Sequence, residues 1–366
     1  MLRSFLVTAA VVIVAQPLFA QDKLDLKKIE EAQTKAINFL KTTQAEDGSW
    51  TSPTQPGVSG LVVYSLLTSG VPVDDPTVAK GLKHLESFIQ KDGGIYDPNT
   101  SHKNYETSII VTALTEANKD GRYAETIAKA VDFLKGIQWD GPEGAAEVDP
   151  AFGGQGYGRS KRPDLSNTAF FLEALTAAGV SKNDPAFKNA LVFVSRCQNL
   201  KGSNDTVFGD KINDGGFYYT PAGGGASMAG PATPEGGLRS YGSMTYAGLK
   251  SMVYAGLTKD DPRVKAASEW IAKFYTLEEN PGMGQQGLYY YLLTAARTFK
   301  ALGTDEFVDA KGGKHPWRAE ISNKLIGLQK PNGSWINPAD RWMEGNPEIV
   351  TAYALSTLKA CEGGKK

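Results

Sequence analysis

The stretch that decides the fold is Ala36 to Trp50, AINFLKTTQAEDGSW, because its pattern returns near the C-terminus as KLIGLQKPNGSW, Lys324 to Trp335. Each copy ends an amphipathic helix, reaches a glutamine, and enters an Asp-Gly-Ser-Trp or Asn-Gly-Ser-Trp turn. Such a turn can stop the helix and cover its end with an indole ring. Two copies this far apart predict a repeat protein.

Weaker copies of the same pattern lie between these two. One begins at Lys91 (KDGGIY), one is Trp139-Asp140-Gly141, and a delayed one begins at Asp214 (DGGFY). A fifth is reduced to Asn280-Pro281-Gly282. Six units therefore fit the chain, and five of them carry the marker glutamine, namely Gln44, Gln90, Gln138, Gln198 and Gln329.

Each turn is followed by a second helical run, such as SGLVVYSLLTSG or TSIIVTALTEAN, that is apolar nearly all round. The helices before the turns carry lysine and glutamate on one side. A helix that is apolar on all faces is buried, whereas a polar stripe marks a surface helix. The sequence thus predicts an all-α protein of outer and inner helices in six pairs, over 29–70, 76–118, 122–179, 184–256, 261–302 and 316–361.

Connections between pairs are short and alike, and each ends in Asp-Pro, at Asp75, Asp184 and Asp261. Aspartate before proline is typical of a helix N-cap followed by the favoured first helical residue. We interpret these carboxylates as caps rather than as catalytic groups. The connections within the third and fourth pairs are long, over 139–165 and 199–241, and long loops in compact domains are usually functional. We expect the site at the end of the array where the inner helices begin, which we call the mouth.

Residues 1–20 contain Arg3, an apolar run and Leu18-Phe19-Ala20, which is the layout of a cleaved signal peptide. We expect an exported protein, periplasmic or secreted, with no stable membrane span after cleavage and one domain over 21–366. The formal net charge is -1, with 39 basic and 40 acidic residues, so no field would recruit nucleic acid.

Metal-ligating and redox-active residues are few. We predict that Cys197 and Cys361 are buried, unpaired thiols, because two cysteines do not make a disulfide framework in a chain this long. The three histidines are His84, His102 and His315, and His84 is expected on the surface of an outer helix. We expect no metal and no cofactor.

The repeat resembles the QW motif of squalene-hopene and oxidosqualene cyclases, and the alternating helix pairs are similar to the β subunits of protein prenyltransferases. This resemblance covers nearly the whole chain after residue 20. It implies an (α/α)6 toroid, two concentric rings of helices with the ligand cavity inside the inner ring. Periodicity alone does not distinguish a closed ring from an open superhelix.

The catalytic motifs of these families are degenerate here. The cyclases carry D-x-D-D-T-A at the start of an inner helix, and the nearest match is Asp164 to Ala169, DLSNTA. A hydroxyl such as Ser166 is too weak an acid to replace the carboxylic acid. Alternatively, Ser166 is simply a helix N-cap near which Asp164 favours the positive helix end. The prenyltransferase D-x-C and Y-H-T zinc motifs lack their Cys and His in this chain.

Polar and aromatic residues at the predicted inner-helix starts are the candidate site. Asp164 and Glu348 are the candidate acids, and the candidate ligand-binding residues are Tyr105, Glu106, Asn167, Thr168, Arg239, Tyr241, Tyr290 and Trp342. We favour an exported binding protein for a hydrophobic, possibly isoprenoid, or carbohydrate ligand, with the inherited acid and zinc chemistry lost. Two alternatives remain, an active cyclase-like or prenyltransferase-like enzyme, and a polysaccharide lyase or hydrolase using an acid pair such as Glu106 and Glu348.

Overall fold

The computed structural model describes residues 23–141, 146–158 and 162–363, so the predicted signal peptide lies outside the described residues. Within these ranges the chain forms helices that alternate between an outer and an inner position. The outer helices are α1 (Leu26–Thr42), α3 (Pro76–Glu86), α5 (Ala124–Gly136), α7 (Pro185–Arg196), α9 (Pro262–Phe274) and α11 (Trp317–Leu328). The inner helices are α2 (Pro56–Thr68), α4 (Lys103–Ala117), α6 (Leu165–Ala177), α8 (Gly242–Tyr254), α10 (Leu288–Leu302) and α12 (Pro347–Cys361).

The inner helices form a closed ring. Each packs against the next, and α12 packs back against α2, which completes the circle that periodicity alone left open. Each of α3, α5 and α9 packs mainly on the inner helix that precedes it in the chain, and α1 packs on α12. The all-α (α/α)6 toroid predicted from the repeat is confirmed. The only strands in the described part of the chain are a two-residue pair, β1 (Phe307–Val308) and β2 (Lys314–His315).

The marker glutamines join neighbouring repeats. Gln44 Nε2 donates to the carbonyl of Gly48 in its own turn and to the carbonyl of Thr77 at the start of the next outer helix, at 3.1 and 2.9 Å. Gln138, Gln198 and Gln329 repeat this double bond. Gln90 is the exception, because it donates to Phe88 and Tyr96 instead.

The tryptophans cover helix ends as the sequence predicts. Trp50 Nε1 donates to the Leu40 carbonyl at 2.7 Å, and Trp335 Nε1 donates to the Leu325 carbonyl at 2.8 Å. Both indoles are fully buried. Each ring therefore satisfies a carbonyl that the end of an outer helix leaves free.

In the third unit the sequence interpretation placed the turn wrongly, at Trp139-Asp140-Gly141. The turn that occupies the repeat position contains Gly153, whose carbonyl accepts the bond from Gln138. Gln155 takes the place of the tryptophan and donates to the Leu134 carbonyl at 2.6 Å. Gly153 has φ +80°, and a Cβ there would lie 1.8 Å from the Asn189 carbonyl oxygen, so only glycine fits. An insertion between marker and turn had hidden this copy.

The predicted helix caps and the buried cysteines are confirmed, whereas the predicted position of His84 is wrong. Asp75, Asp184 and Asp261 each accept a bond from the backbone N–H two residues later, so all three are N-caps. Cys197 and Cys361 are buried and unpaired. His84 was expected on the surface, but it is buried with only 8% exposure because its ring packs against Phe88. No helix among the described residues combines the length and the apolar character needed to cross a bilayer.

Candidate functional site

A cleft of about 480 Å³ opens at the mouth between the first turns of α2 and α4. Its walls include Gln55 and Gly57 from α2 and its cap, Tyr105 and Glu106 from α4, and Met343 from the loop before α12. The remaining lining residues are mostly polar, among them Thr54, Asp97, Asn99, Thr100 and His102. The cleft brings two of the predicted ligand-binding residues, Tyr105 and Glu106, onto one wall.

Glu106 is the most perturbed acid of this cleft. Its carboxylate accepts the backbone N–H of Asp97 at 2.8 Å and the hydroxyl of Thr100 at 2.7 Å. Burial raises the pKa of Glu106 to about 7, against these two hydrogen bonds, which lower it. A carboxyl that titrates near neutrality can both accept and donate hydrogen bonds to a ligand at the pH where the protein works.

A row of aromatic rings leads from the cleft into the ring of inner helices. His102, Tyr157, Tyr105, Phe170, Tyr290 and Tyr353 follow one another with centroids 5.1 to 6.2 Å apart. We call this row the aromatic track. Tyr105 donates to Ser166 Oγ at 2.7 Å, and Ser166 Oγ lies 3.4 Å from the hydroxyl of Tyr290. The first turns of α4, α6 and α10 therefore meet at one end, as the repeat predicts.

The segment Asp164 to Ala169 is built differently from either sequence interpretation of Ser166. Asp164, not Ser166, is the N-cap of α6, and it accepts both the backbone and side-chain N–H of Asn167, at 2.9 and 2.8 Å. Asp164 is only 1% exposed, and burial raises its pKa to about 6. Ser166 instead turns its hydroxyl to the aromatic track. Asn167 and Thr168 are fully buried, so all three polar groups of Asp164, Asn167 and Thr168 serve the helix start.

The loop before α12 forms the rim of the mouth and carries backbone strain. Trp342 and Met343 have φ of +59° and +64°, a left-handed conformation that costs a non-glycine residue of order 1–3 kcal/mol. Glu344 anchors the loop, because its buried carboxylate accepts the backbone N–H of Tyr290 at 2.8 Å and the amide of Asn337 at 2.6 Å. Trp342 is 47% exposed and stacks under Arg341, so it stands on the outside of this rim.

The other predicted residues lie apart from the cleft. Glu348 accepts a bond from Thr51 at 3.0 Å and is absent from the cleft lining, so it does not face Glu106 as an acid pair. Arg239 lines a separate shallow pocket with Asp214 and Ser240. Tyr241 is buried as the N-cap of α8.

Sequence reasoning missed a charged cluster deeper in the inner ring. Glu173 of α6 forms ion pairs with Lys250 of α8 at 2.7 Å and with Arg297 of α10 at 2.5 Å. All three side chains are nearly enclosed, with 6 to 13% exposure. Burial opposes ionisation of Glu173, but Arg297 and Lys250 outweigh it and lower the pKa of Glu173. The available signal was that Glu173 and Lys250 are the only charged residues of α6 and α8, and that Arg297 is one of two in α10.

The segment that resembles the cyclase motif differs from it at two positions. The proton-donor position of the cyclase motif holds Ser166 and Asn167, and the remaining carboxylate, Asp164, is committed to a helix cap. In the described ranges no three His, Cys, Asp or Glu side chains are grouped so that they could hold a metal ion. The arrangement at the mouth offers hydroxyls, amides, aromatic faces and the carboxyl of Glu106.

Comparison with known proteins agrees with this scaffold. The family model of the squalene-hopene cyclase C-terminal domain matches residues 51–219. No curated protein matches the sequence significantly.

Three solved structures resemble the chain in fold. A family 76 glycoside hydrolase from a bovine Bacteroides thetaiotaomicron strain has TM-score 0.55 and 12% identity, covering 91% of this chain and 77% of its own. A possible member of the GH105 family from Salmonella enterica serovar Paratyphi A has TM-score 0.53 and 11% identity, covering 96% and 98%. Protein geranylgeranyltransferase-I from Candida albicans, complexed with GGPP, has TM-score 0.50 and 13% identity, covering 92% and 91%.

At such low identities these structures establish the fold alone. The chain is an α/α toroid, and over residues 51–219 it is similar to the squalene-hopene cyclase C-terminal domain. Its mouth carries a polar cleft and an aromatic track.

Proposed function

We propose that this chain is an exported binding protein that holds a hydroxyl-rich ligand, of the carbohydrate class, in the mouth of the toroid. The observation that carries the proposal is the continuity between the polar cleft and the aromatic track. Tyr105 belongs to both, since it lines the cleft and donates its hydroxyl to Ser166. Export rests on the signal-like sequence of residues 1–20.

The chemistry of the walls favours a sugar over an isoprenoid. Sites for small molecules combine aromatic surfaces with a few placed polar groups that fix orientation. Here the polar groups are frequent: Glu106, Thr100 and Asn99 line the cleft, and hydroxyls edge the track. A hydrocarbon chain that reached further inward would meet the ion pairs of Glu173, and burying charges against apolar groups is costly.

A second candidate is acid-catalysed hydrolysis of the same ligand. It is favoured by Glu106, because a carboxyl with a pKa of about 7 is protonated often enough near neutrality to act as a general acid. Asp97 lines the same cleft and would be the second carboxylate, in place of Glu348. Glycoside hydrolysis needs two carboxyls roughly 5 to 10 Å apart.

The test begins with mass spectrometry of small molecules extracted from protein purified from its natural compartment. A co-purifying sugar supports the proposal, and a co-purifying lipid contradicts it. Calorimetry with the identified sugar then compares wild type with Tyr105→Phe, which loses the bond to Ser166. Tyr275→Phe is the matched control, because Tyr275 loses one bond to Glu320 in the outer ring.

Glu106→Gln separates binding from hydrolysis. The amide keeps the size of the carboxyl but cannot deliver a proton. Under the binding proposal neither wild type nor Glu106→Gln releases product from the bound sugar. Product formed by wild type and lost at least ~100-fold in Glu106→Gln would establish the enzyme instead.

A further inference from the structure

The charged cluster deep in the inner ring has more donors than it has acceptors. Arg297 gives one of its nitrogens, Nη1, to Glu173, and Lys250 gives one bond to the same carboxylate. In the described part of the chain, Nε and Nη2 of Arg297 donate to no acceptor. Neither nitrogen is among the fully buried unpaired atoms, and the Arg297 side chain is 13% exposed, so both donors can reach a bound acceptor.

Three tyrosines lie close to the two cations of this cluster. The guanidinium carbon of Arg297 lies over the ring of Tyr64, 5.2 Å from the ring centroid. The ammonium nitrogen of Lys250 lies over the ring of Tyr254, 5.8 Å from the ring centroid. Tyr353 is within electrostatic reach of Arg297. Among the described residues, none of these three hydroxyls takes part in a hydrogen bond. Their hydroxyls are therefore available as donors to an acceptor bound beside Arg297 and Lys250.

The charges of the cluster fix the kind of acceptor. Lys250 and Arg297 contribute two positive charges, and Glu173 contributes one negative charge. Glu116 also acts on Tyr64 electrostatically, but it forms no ion pair within 4 Å of either cation. A singly charged anion would balance the cluster, whereas a doubly charged one would reverse its sign.

We infer that the charged cluster of Glu173, Lys250 and Arg297, which we call the floor of the toroid, binds a carboxylate of the ligand. The free edge of Arg297 would hold this carboxylate together with Lys250 and the hydroxyls of Tyr64 and Tyr254. An arginine edge matches a carboxylate with two parallel hydrogen bonds. The inference rests on the proposed function and narrows it, because a hydroxyl-rich ligand with one carboxylate is an acidic sugar.

The depth of the floor sets the size of that ligand. Ser166 and Tyr290 at the mouth are each seven residues before Glu173 and Arg297 on the same helices. At 1.5 Å per residue the floor lies roughly 10 Å below the mouth. An acidic sugar that reaches both places must span roughly 10 Å and carry its carboxylate at the inner end.

The test uses two disaccharides that differ in one group. One carries a terminal uronic acid, and the other is the same disaccharide with that carboxylate reduced to a hydroxymethyl group. Wild type is expected to bind the acid roughly 10- to 100-fold more tightly, the range typical of hydrogen bonds to a charged group. In Arg297→Met this ratio should fall to about 1, while Glu173 keeps Lys250 as its partner. Arg122→Met, at an exposed ion pair, is the matched control and should keep the wild-type ratio.

Failure of the two proposals can be told apart. Equal affinity for the two disaccharides in wild type, or an unchanged ratio in Arg297→Met, overturns the carboxylate floor and leaves the sugar-binding mouth standing. If neither disaccharide binds, acetate is the probe. A rise in melting temperature with acetate in wild type and Arg122→Met, absent in Arg297→Met, supports the floor although the mouth proposal fails; no rise overturns both. Should Arg297→Met not fold, Lys250→Met provides the same comparison.

Discussion

Gln329 donates its side-chain amide to the carbonyl of Ala32 at 2.8 Å, across 297 residues of sequence. The same amide donates to Gly333 in its own turn, as Gln44 does to Gly48. The bond that joins successive repeats elsewhere thus joins the last repeat to the first. Closure of the ring therefore uses the same residue type as the junctions at Gln44, Gln138 and Gln198.

Removing this junction should weaken the whole ring. Gln329→Ala loses two hydrogen bonds, each worth about 0.5–1.5 kcal/mol, so we expect the free energy of unfolding to fall by roughly 1–3 kcal/mol. Urea denaturation followed by circular dichroism measures this. Gln285→Ala, at an exposed amide that bonds to Glu278, is the control and should stay within about 0.5 kcal/mol of wild type. Equal effects of the two changes would contradict the role of the junction.

A side chain at Gly153 should destabilise the protein in two ways, through the left-handed backbone conformation and through its close approach to Asn189. Gly153 and Gly121 have φ of +80° and +84°, but a Cβ at Gly121 meets nothing within 4 Å, whereas one at Gly153 collides with the Asn189 carbonyl. Gly121→Ala should cost only the left-handed conformation, about 1–2 kcal/mol. Gly153→Ala should lower the free energy of unfolding clearly more than Gly121→Ala does. Thermal denaturation of both variants measures the difference. Similar losses would mean that the turn moves away from α7 without penalty.

Glu173 should be indispensable to stability although neither cation is. Glu173→Gln leaves Lys250 and Arg297 buried without a counter-charge, and breaking a buried pair in this way costs about 3–5 kcal/mol. Arg297→Met leaves one balanced pair, so we expect a loss below about 2 kcal/mol. Chemical denaturation of the two variants compares them directly. If the Glu173→Gln protein is as stable as Arg297→Met, an unpaired charge does not determine the stability of this cluster.

Glu106 should make the protein less stable as the pH rises. Its folded pKa of about 7 lies above the usual 4.5, so between these values the folded state binds more protons than the unfolded state. Its contribution is most favourable below about pH 4.5 and declines up to about pH 7, by roughly 1–3 kcal/mol. The difference between the stability profiles of wild type and Glu106→Gln isolates this group from Asp164, which titrates near pH 6. A difference that does not change with pH would refute the raised pKa.

The cysteines provide a simple check of the core. Burial raises the pKa of Cys361 to about 12 and raises that of Cys197 well above its usual value, so neither should react with a thiol reagent in the folded protein. After unfolding without reductant both should react, because both are unpaired. A thiol titration before and after denaturation measures this. Fewer than two reactive thiols in the unfolded chain would mean that a disulfide forms.

The fold was predictable where each repeat carries its own local signal. Gln44 with Trp50, and Gln329 with Trp335, mark helix ends by residue type alone, and the Asp-Pro caps mark helix starts. The third turn escaped because Gly153 is separated from Gln138 by an insertion, and Gln155 replaces the expected indole. A sequence pattern is recognised by its spacing along the chain, so an insertion that shifts a turn makes that turn unrecognisable.

The site was predictable only in part, because it depends on which helices face one another. Tyr105, Glu106 and Tyr290 were identified from their positions at inner-helix starts, and they do line the cleft or the aromatic track. Asn167 and Tyr241 share that position, but their side chains point into the packing between helices. Glu173, Lys250 and Arg297 come from three separate repeats, and only the closed ring brings their charges together.

Closure also brings the two ends of the described chain side by side. Gln33 of α1 donates to Glu362, just after α12, at 2.6 Å. No junction between units is therefore unique, and any of the short Asp-Pro connections could become the new beginning and end of the chain. A circular permutant opened before Pro185, with residues 23 and 363 linked, should fold to the same toroid, since permutation is tolerated where the termini are close.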